Sequence, residues 1–149
     1  MSAVSEMPRR VLLVCGGNTC RSAMAEAMMR NLASDWTIES AGVAAVDGEP
    51  AADNAVAVLA ELGLDLSAHR ARLLTPDMVS QADTILAMER RHLQRVLELD
   101  PSAAPRARTL AESDIADPFG GSLQVYRRAR DEIRQAIAAN LASFDRGGG

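Results

Sequence analysis

The 149-residue chain contains no lysine, two cysteines and four aromatic residues. All 16 basic side chains are arginines. Without lysine, neither the Walker phosphate loop nor a Schiff base can be built. The two cysteines, Cys15 and Cys20, lie five positions apart. A pair so close cannot staple a secreted scaffold, so a reducing cytoplasm is the expected location. Their spacing is loose for zinc, and neither His69 nor His92 completes a second ligand pair, so no metal site is expected. The four aromatics (Trp36, Phe119, Tyr126 and Phe144) and a net charge of −4 offer neither the stacking platform nor the basic footprint of a nucleic-acid binder. No apolar run approaches the roughly 18 residues of a membrane span. The start, Met1 to Arg10, leads only into Val11-Leu12-Leu13-Val14, short of the ~7–15 apolar residues of a secretory signal, so export is not expected.

With 48% hydrophobic and 24% charged residues, the length suits one domain that buries its own core. Residues 1–9 and 145–149 read as flexible ends. The run from Val11 to Val14 is short, apolar and β-prone and ends at Cys15, which predicts a buried parallel strand. Gly16-Gly17-Asn18 is loop chemistry, since Gly and Asn tolerate positive φ. Residues 22–34 read as a helix with Met24, Met28 and Leu32 on one stripe. Residues 36–39 read as a strand closed by Ser40-Ala41-Gly42, and residues 51–62 as a helix stopped by Gly63. Thr75 is the expected N-cap of another helix, with Pro76 in its first turn. Residues 84–88 form the third expected strand, 89–99 a helix with Pro101 just past it, and 107–110 a short fourth strand. Residues 122–144 read as a long helix, with Tyr126, Ile133, Ile137, Leu141 and Phe144 on one stripe and arginines on a solvated face. Strands alternating with helices predict an α/β fold, three layers around a mostly parallel sheet, with no internal repeat or linker.

In open α/β sheets, ligands bind where strands end and helices begin. Cys15-Gly16-Gly17-Asn18-Thr19-Cys20-Arg21-Ser22 sits at such a place. Its backbone N–H groups and the following helix N-terminus form a cradle for an anion, and Arg21 adds a planar fork that matches phosphate. Cysteines at helix N-termini and beside cations hold the thiolate more readily than free ones, which suits Cys15 as a phosphoryl-transfer nucleophile.

Cys followed by five residues, Arg and Ser is the pattern of cysteine-dependent phosphatases. Placed between strand and helix at the N-terminus, it resembles the low-molecular-weight protein tyrosine phosphatases. The run from Val14 to Glu26 is similar to that family's opening motif, except that Gly16 replaces a larger residue and Ala23 a usual proline. Ser40-Ala41-Gly42, His69-Arg70-Ala71-Arg72, the segment 83–88 and Asp117-Pro118-Phe119-Gly120-Gly121 resemble its later segments. The resemblance implies a four-stranded parallel sheet with flanking helices and no cofactor. It assigns Cys15, Arg21 and Asp117 to catalysis, Asp117 as general acid and base. Gly16, Gly17, Asn18, Thr19, Cys20, Arg21 and Ser22 then bind phosphate. Ser22 assists the thiolate, and Ser40 and His69 support the loop through Asn18. Phosphorylated proteins are the implied substrates, with no nucleic-acid or membrane partner and a monomer expected.

The low aromatic count bears on which phosphoester is cleaved. Tyrosine-directed members line the cleft with rings. Here the segment Val43 to Pro50 has none, and only Phe119 follows Asp117-Pro118. Thr19 stands where the tyrosine-directed branch has a larger aliphatic residue. Thr19 and Phe119 are therefore the expected selectivity residues, and the loops resemble those of bacterial protein arginine phosphatases. Phosphoarginine is the expected substrate, with phosphotyrosine the alternative. The related arsenate reductases need further cysteines for a disulfide relay, and none follows Cys20. That reading and a non-enzymatic redox or phosphoprotein-binding module are the remote alternatives. In either case Cys20 is the expected redox partner of Cys15.

Overall fold

The computed structural model describes residues 9–147, with side chains through residue 143. The expectation of flexible ends falls mostly outside these residues, although the backbone of the last helix runs to Gly147. The order of elements is β1 (Arg10–Cys15), α1 (Arg21–Leu32), β2 (Thr37–Gly42), α2 (Asp53–Ala60), α3 (Pro76–Gln81), β3 (Thr84–Ala87), α4 (Arg90–Leu99), a 3₁₀ helix (Pro101–Arg106), β4 (Ala107–Thr109) and α5 (Leu123–Gly147). The sheet is parallel throughout, in the order β2-β1-β3-β4. The first crossover leads to one side of β1 and the later ones to the other. The C-terminal end of β1 is thus the switch point where such sheets hold ligands.

The sheet is covered on both faces, and the alternation along β1 shows how. Val11, Leu13 and Cys15 point into a core shared with α1, α2 and α5, where Met24, Met29, Leu59, Ile133 and Ile137 are fully buried. Leu12 and Val14 point into the opposite core, with Val79, Ile85 and Val96 from α3, β3 and α4. This period of two, buried on either side, explains why β1 is continuously apolar.

Several elements differ from the expectation. Ser40-Ala41-Gly42 continues β2 rather than closing it, because β2 pairs in register with β1 as far as Cys15 opposite Gly42. Leu32 is exposed at the end of α1, and the buried stripe uses Ala25 and Met29 with Met24 and Met28. Beyond Pro101 the chain makes a 3₁₀ helix that the sequence reading left out. Gly63 does stop α2: at φ +76° it donates to the Ala60 carbonyl while Leu64 donates to that of Leu59, the two bonds of a Schellman motif. Thr75 caps α3 through Met78 N–H. The arginines of α5 are not simply solvated. Arg130 is buried and donates to Glu61 and the Val58 carbonyl, and Arg127 also binds Glu61, so both clamp α5 to the end of α2. Phe144 lies beyond the described side chains. Among the described residues, no helix is long and apolar enough to cross a membrane.

Candidate active site

The loop after β1 has its carbonyls turned outward and bonded. Those of Cys15 and Gly16 accept from Val43 and Ala44, that of Thr19 from Ala52, and that of Asn18 from His69 Nε2 at 2.6 Å. Among the described residues, no acceptor takes the backbone N–H groups of Gly17, Asn18, Thr19, Cys20 or Arg21. A curled loop whose carbonyls are bonded outward and whose amides are unspent is an anion nest. The start of α1 follows at Arg21 and adds its own orphan N–H groups and positive dipole end.

Asn18 sets the curl. It has φ +58°, the only positive φ outside glycine among the described residues. The expectation spread this tolerance over Gly16, Gly17 and Asn18, but neither glycine uses it. A left-handed non-glycine residue costs about 1–2 kcal/mol and needs support. Asn18 is fully buried, and its side-chain amide donates to Ser22 Oγ at 2.8 Å and Ser40 Oγ at 2.9 Å while its Oδ1 accepts from Arg72 N–H. Ser40 in turn donates to Glu26. Gly42, opposite the loop, is required by space: a Cβ there would lie 2.4 Å from the Gly16 carbonyl oxygen. The loop has space at its own two glycines, where a Cβ would meet only His92 or Thr19 at ordinary contact distance.

Cys15 is buried, and its Sγ lies 2.9 Å from Ser22 Oγ. Arg21, 2% exposed, donates through Nη1 to Glu89 Oε2 at 2.5 Å and the Ile115 carbonyl at 2.6 Å. Its Nη2 is 3.7 Å from Asp117 Oδ2. Burial works against the Glu89 carboxylate, but hydrogen bonds from Arg91 and Arg21 outweigh it and hold the carboxyl down at about 2. The Arg21 fork is thus pre-oriented by a fixed anion rather than by the ligand. Cys20 packs on the other side, 3.4 Å from the Tyr126 hydroxyl, and burial pushes its thiol pKa up. Cys20 is therefore a neutral thiol. Both cysteines are free.

A pocket of about 290 Å³ opens over this loop. Cys15, Gly17, Thr19, Cys20 and Arg21 form its floor. One rim is Ala44, Val46 and Glu49, and the other is Asp117 and Phe119. Asp117 is half exposed and accepts from Phe119 N–H at 3.0 Å, which orients its second oxygen toward Arg21. The segment after it turns sharply at Gly120, φ +81°, and Gly121 has no room for a side chain against the Pro118 carbonyl and Val125. Phe119 is 73% exposed at the mouth. A separate hollow of about 380 Å³ lies behind the loop, beside His69 and Ser40, and holds none of the reactive groups.

All the expected site residues converge on this loop and pocket. Glu89 was missed, although a signal existed: it lies two residues past the end of β3, and β3 pairs with β1, so strand adjacency brings it near Arg21. Glu26 lay unassigned inside the opening motif. His92 was weighed only as a zinc ligand. It is buried, its two ring nitrogens have no hydrogen-bond partner among the described residues, and Glu89 Oε2 is 3.9 Å away. Burial, then the nearby Arg21 charge, lowers its pKa to about 4, so the ring is neutral at pH 7.

Comparison with known proteins agrees with this geometry. A protein-arginine-phosphatase of Geobacillus stearothermophilus is 42% identical over 138 residues, covering 88% of this chain and 93% of that protein. A probable low molecular weight protein-tyrosine-phosphatase, EpsP of Ralstonia nicotianae, is 38% identical over 136 residues, covering 89% and 94%. The solved structure of the YwlE arginine phosphatase from Geobacillus stearothermophilus superposes with a TM-score of 0.88 at 39% identity, covering 94% of this chain and 95% of that one. The family model for low molecular weight phosphotyrosine protein phosphatase matches residues 10–147, and the chain belongs to that family.

Proposed function

We propose that the chain is a cytoplasmic, monomeric protein phosphatase that hydrolyses phosphoarginine through a phosphocysteine intermediate. One observation carries the chemistry: the Cys15 sulfur, bonded to Ser22, sits on a floor of unspent amides and faces Asp117 across the pocket. The Cys15 thiolate attacks phosphorus, and the P–N bond breaks as Asp117 protonates the departing guanidine nitrogen. Arg21 and the loop amides stabilise the charge on the equatorial oxygens. Water then attacks the phosphocysteine, Asp117 takes its proton, and the S–P bond breaks with Ser22 donating to the leaving thiolate. Asn18, Ser40 and His69 hold the loop during both steps. If Cys15 is oxidised to a sulfenic acid, Cys20 is the nearby thiol that condenses with it to a disulfide, releasing water.

The phosphoarginine preference is supported by the pocket wall. Thr19, Ala44 and Val46 are small, and Phe119 is the only ring among the described residues lining it. A phenyl ring therefore has one aromatic partner and no sandwich, while a planar guanidinium needs none. Two free thiols suit a reducing compartment. The deciding experiment compares initial rates on a phosphoarginine protein and a phosphotyrosine peptide. Faster hydrolysis of phosphoarginine is expected, with Cys15→Ser silent on both yet still binding phosphate. Thr19→Ile should move the preference toward phosphotyrosine. A wild-type enzyme that prefers the tyrosine substrate overturns the choice.

A further inference from the structure

The pocket mouth is charged against an anionic substrate. Cys15 reacts as an anion, and the two rims bring one acid each, Glu49 and Asp117; Asp117 meets the substrate protonated, as the general acid, which leaves Glu49 as the rim carboxylate. Arg21 is the only cation among the described residues lining it, and its Nη1 is already committed to Glu89 and Ile115. A phosphoryl group on a neutral ring brings no positive charge to set against the Glu49 carboxylate. A guanidinium keeps its positive charge after N-phosphorylation and presents N–H donors in a plane that matches a carboxylate.

The two rim acids are not equivalent. Asp117 is engaged with Phe119 N–H and Arg21, and its task is the proton. Glu49 accepts no side-chain hydrogen bond and forms no ion pair among the described residues. Its backbone is nevertheless pinned: its N–H donates to the Val46 carbonyl at 3.3 Å, and its carbonyl accepts from Ala71 N–H at 2.8 Å. The other acid of the same loop, Asp47, is spent on Leu73 N–H at 2.7 Å. A fixed backbone thus carries an uncommitted carboxylate to the edge of the phosphate site.

We infer that Glu49 is a specificity-determining residue, whose carboxylate pairs with the guanidinium of the phosphoarginine substrate and so selects it over neutral phosphoesters. The inference rests on the phosphoarginine reading above.

The test uses N-acetyl-phosphoarginine amide, which has no neighbouring side chains, and p-nitrophenyl phosphate. Both are assayed at neutral pH with wild type, Glu49→Gln and Glu49→Arg. For Glu49→Gln, KM for the phosphoarginine amide should rise about tenfold with kcat little changed, as expected for loss of one charge-assisted hydrogen bond. Hydrolysis of the aryl ester should hold or rise, because a repelling charge has gone. Glu49→Arg should widen both effects. A parallel loss on both substrates, or an unchanged ratio, overturns the inference while leaving the phosphoarginine reading intact. Wild-type protein that hydrolyses only the aryl ester overturns that reading and the inference with it.

Discussion

Asn18 in the phosphate loop and Glu49 in the loop that frames it belong to one site, yet their side chains are treated in opposite ways. Asn18 is buried with both polar ends of its amide bonded, while Glu49 is exposed with its carboxylate uncommitted. The same contrast separates Arg21, tied to Glu89 and Ile115, from Phe119, which is 73% exposed. The interior that handles the phosphoryl group is over-determined. The rim that meets the rest of the substrate, Asp117 apart, is held by its backbone and leaves its side chains open. A scaffold of this kind keeps its chemistry while its substrate varies, since rim substitutions disturb no buried bond.

That comparison makes sharp claims about which variants split substrates. Asp117→Asn removes the proton donor at the rim and should give the largest effect. The loss should reach about 10²–10⁴-fold on substrates with poor leaving groups and be much smaller on p-nitrophenyl phosphate, whose leaving group needs little protonation. Equal losses on both, measured as kcat/KM, would take Asp117 out of its role.

Changes inside the loop should instead lower all substrates together. Asn18→Gly deletes the side-chain clamps but still accepts φ +58°. Asn18→Ala deletes the clamps and also strains the backbone. Both variants should lose stability, Ala by about 1 kcal/mol more than Gly. Both should leave the ratio of phosphoarginine to aryl phosphate turnover unchanged. Chemical denaturation and the two assays read this directly. If Gly and Ala are equally destabilised, the backbone conformation is not what Asn18 supplies. If either variant changes the substrate ratio, the division between interior and rim fails.

The legibility of the sequence follows the same division. The loop was readable because its chemistry is contiguous: nucleophile, curl, fork and serine all fall within residues 15–22. The sheet was readable because β1 and β3 are apolar on both faces. What stayed hidden depends on contacts far apart in the chain. Glu89 reaches Arg21 across 68 positions, and Arg130 reaches Val58 across 72. Neither pairing leaves a periodic trace. The left-handed position was misplaced for a different reason. Glycine is the default for positive φ, and only the three-way clamp around the Asn18 side chain shows that the asparagine takes it. Glu49 was visible only as part of a segment without rings, because an exposed acid in a loop is the commonest of features until a pocket is seen beside it.

An effect on stability alone, with no change in substrate choice, probes the far side of the loop, where His92 lies beneath Gly16 and beside Arg21. Its ring is neutral in the folded protein because burial and the Arg21 charge, with Arg91, outweigh the carboxylates of Glu89 and Asp114 that favour protonation. The unfolded chain takes up this proton near the ordinary value of 6.5, the folded chain not until about 4. Between those values the unfolded state binds more protons. The contribution of His92 is therefore fully present above pH 6.5 and is lost as the pH falls toward 4, by on the order of 3 kcal/mol. Urea unfolding of wild type and His92→Asn across that range isolates the effect, because the carboxylates common to both cancel. Wild type should lose more stability than the variant as the pH drops, and parallel curves would show that the interior does not exclude charge at His92.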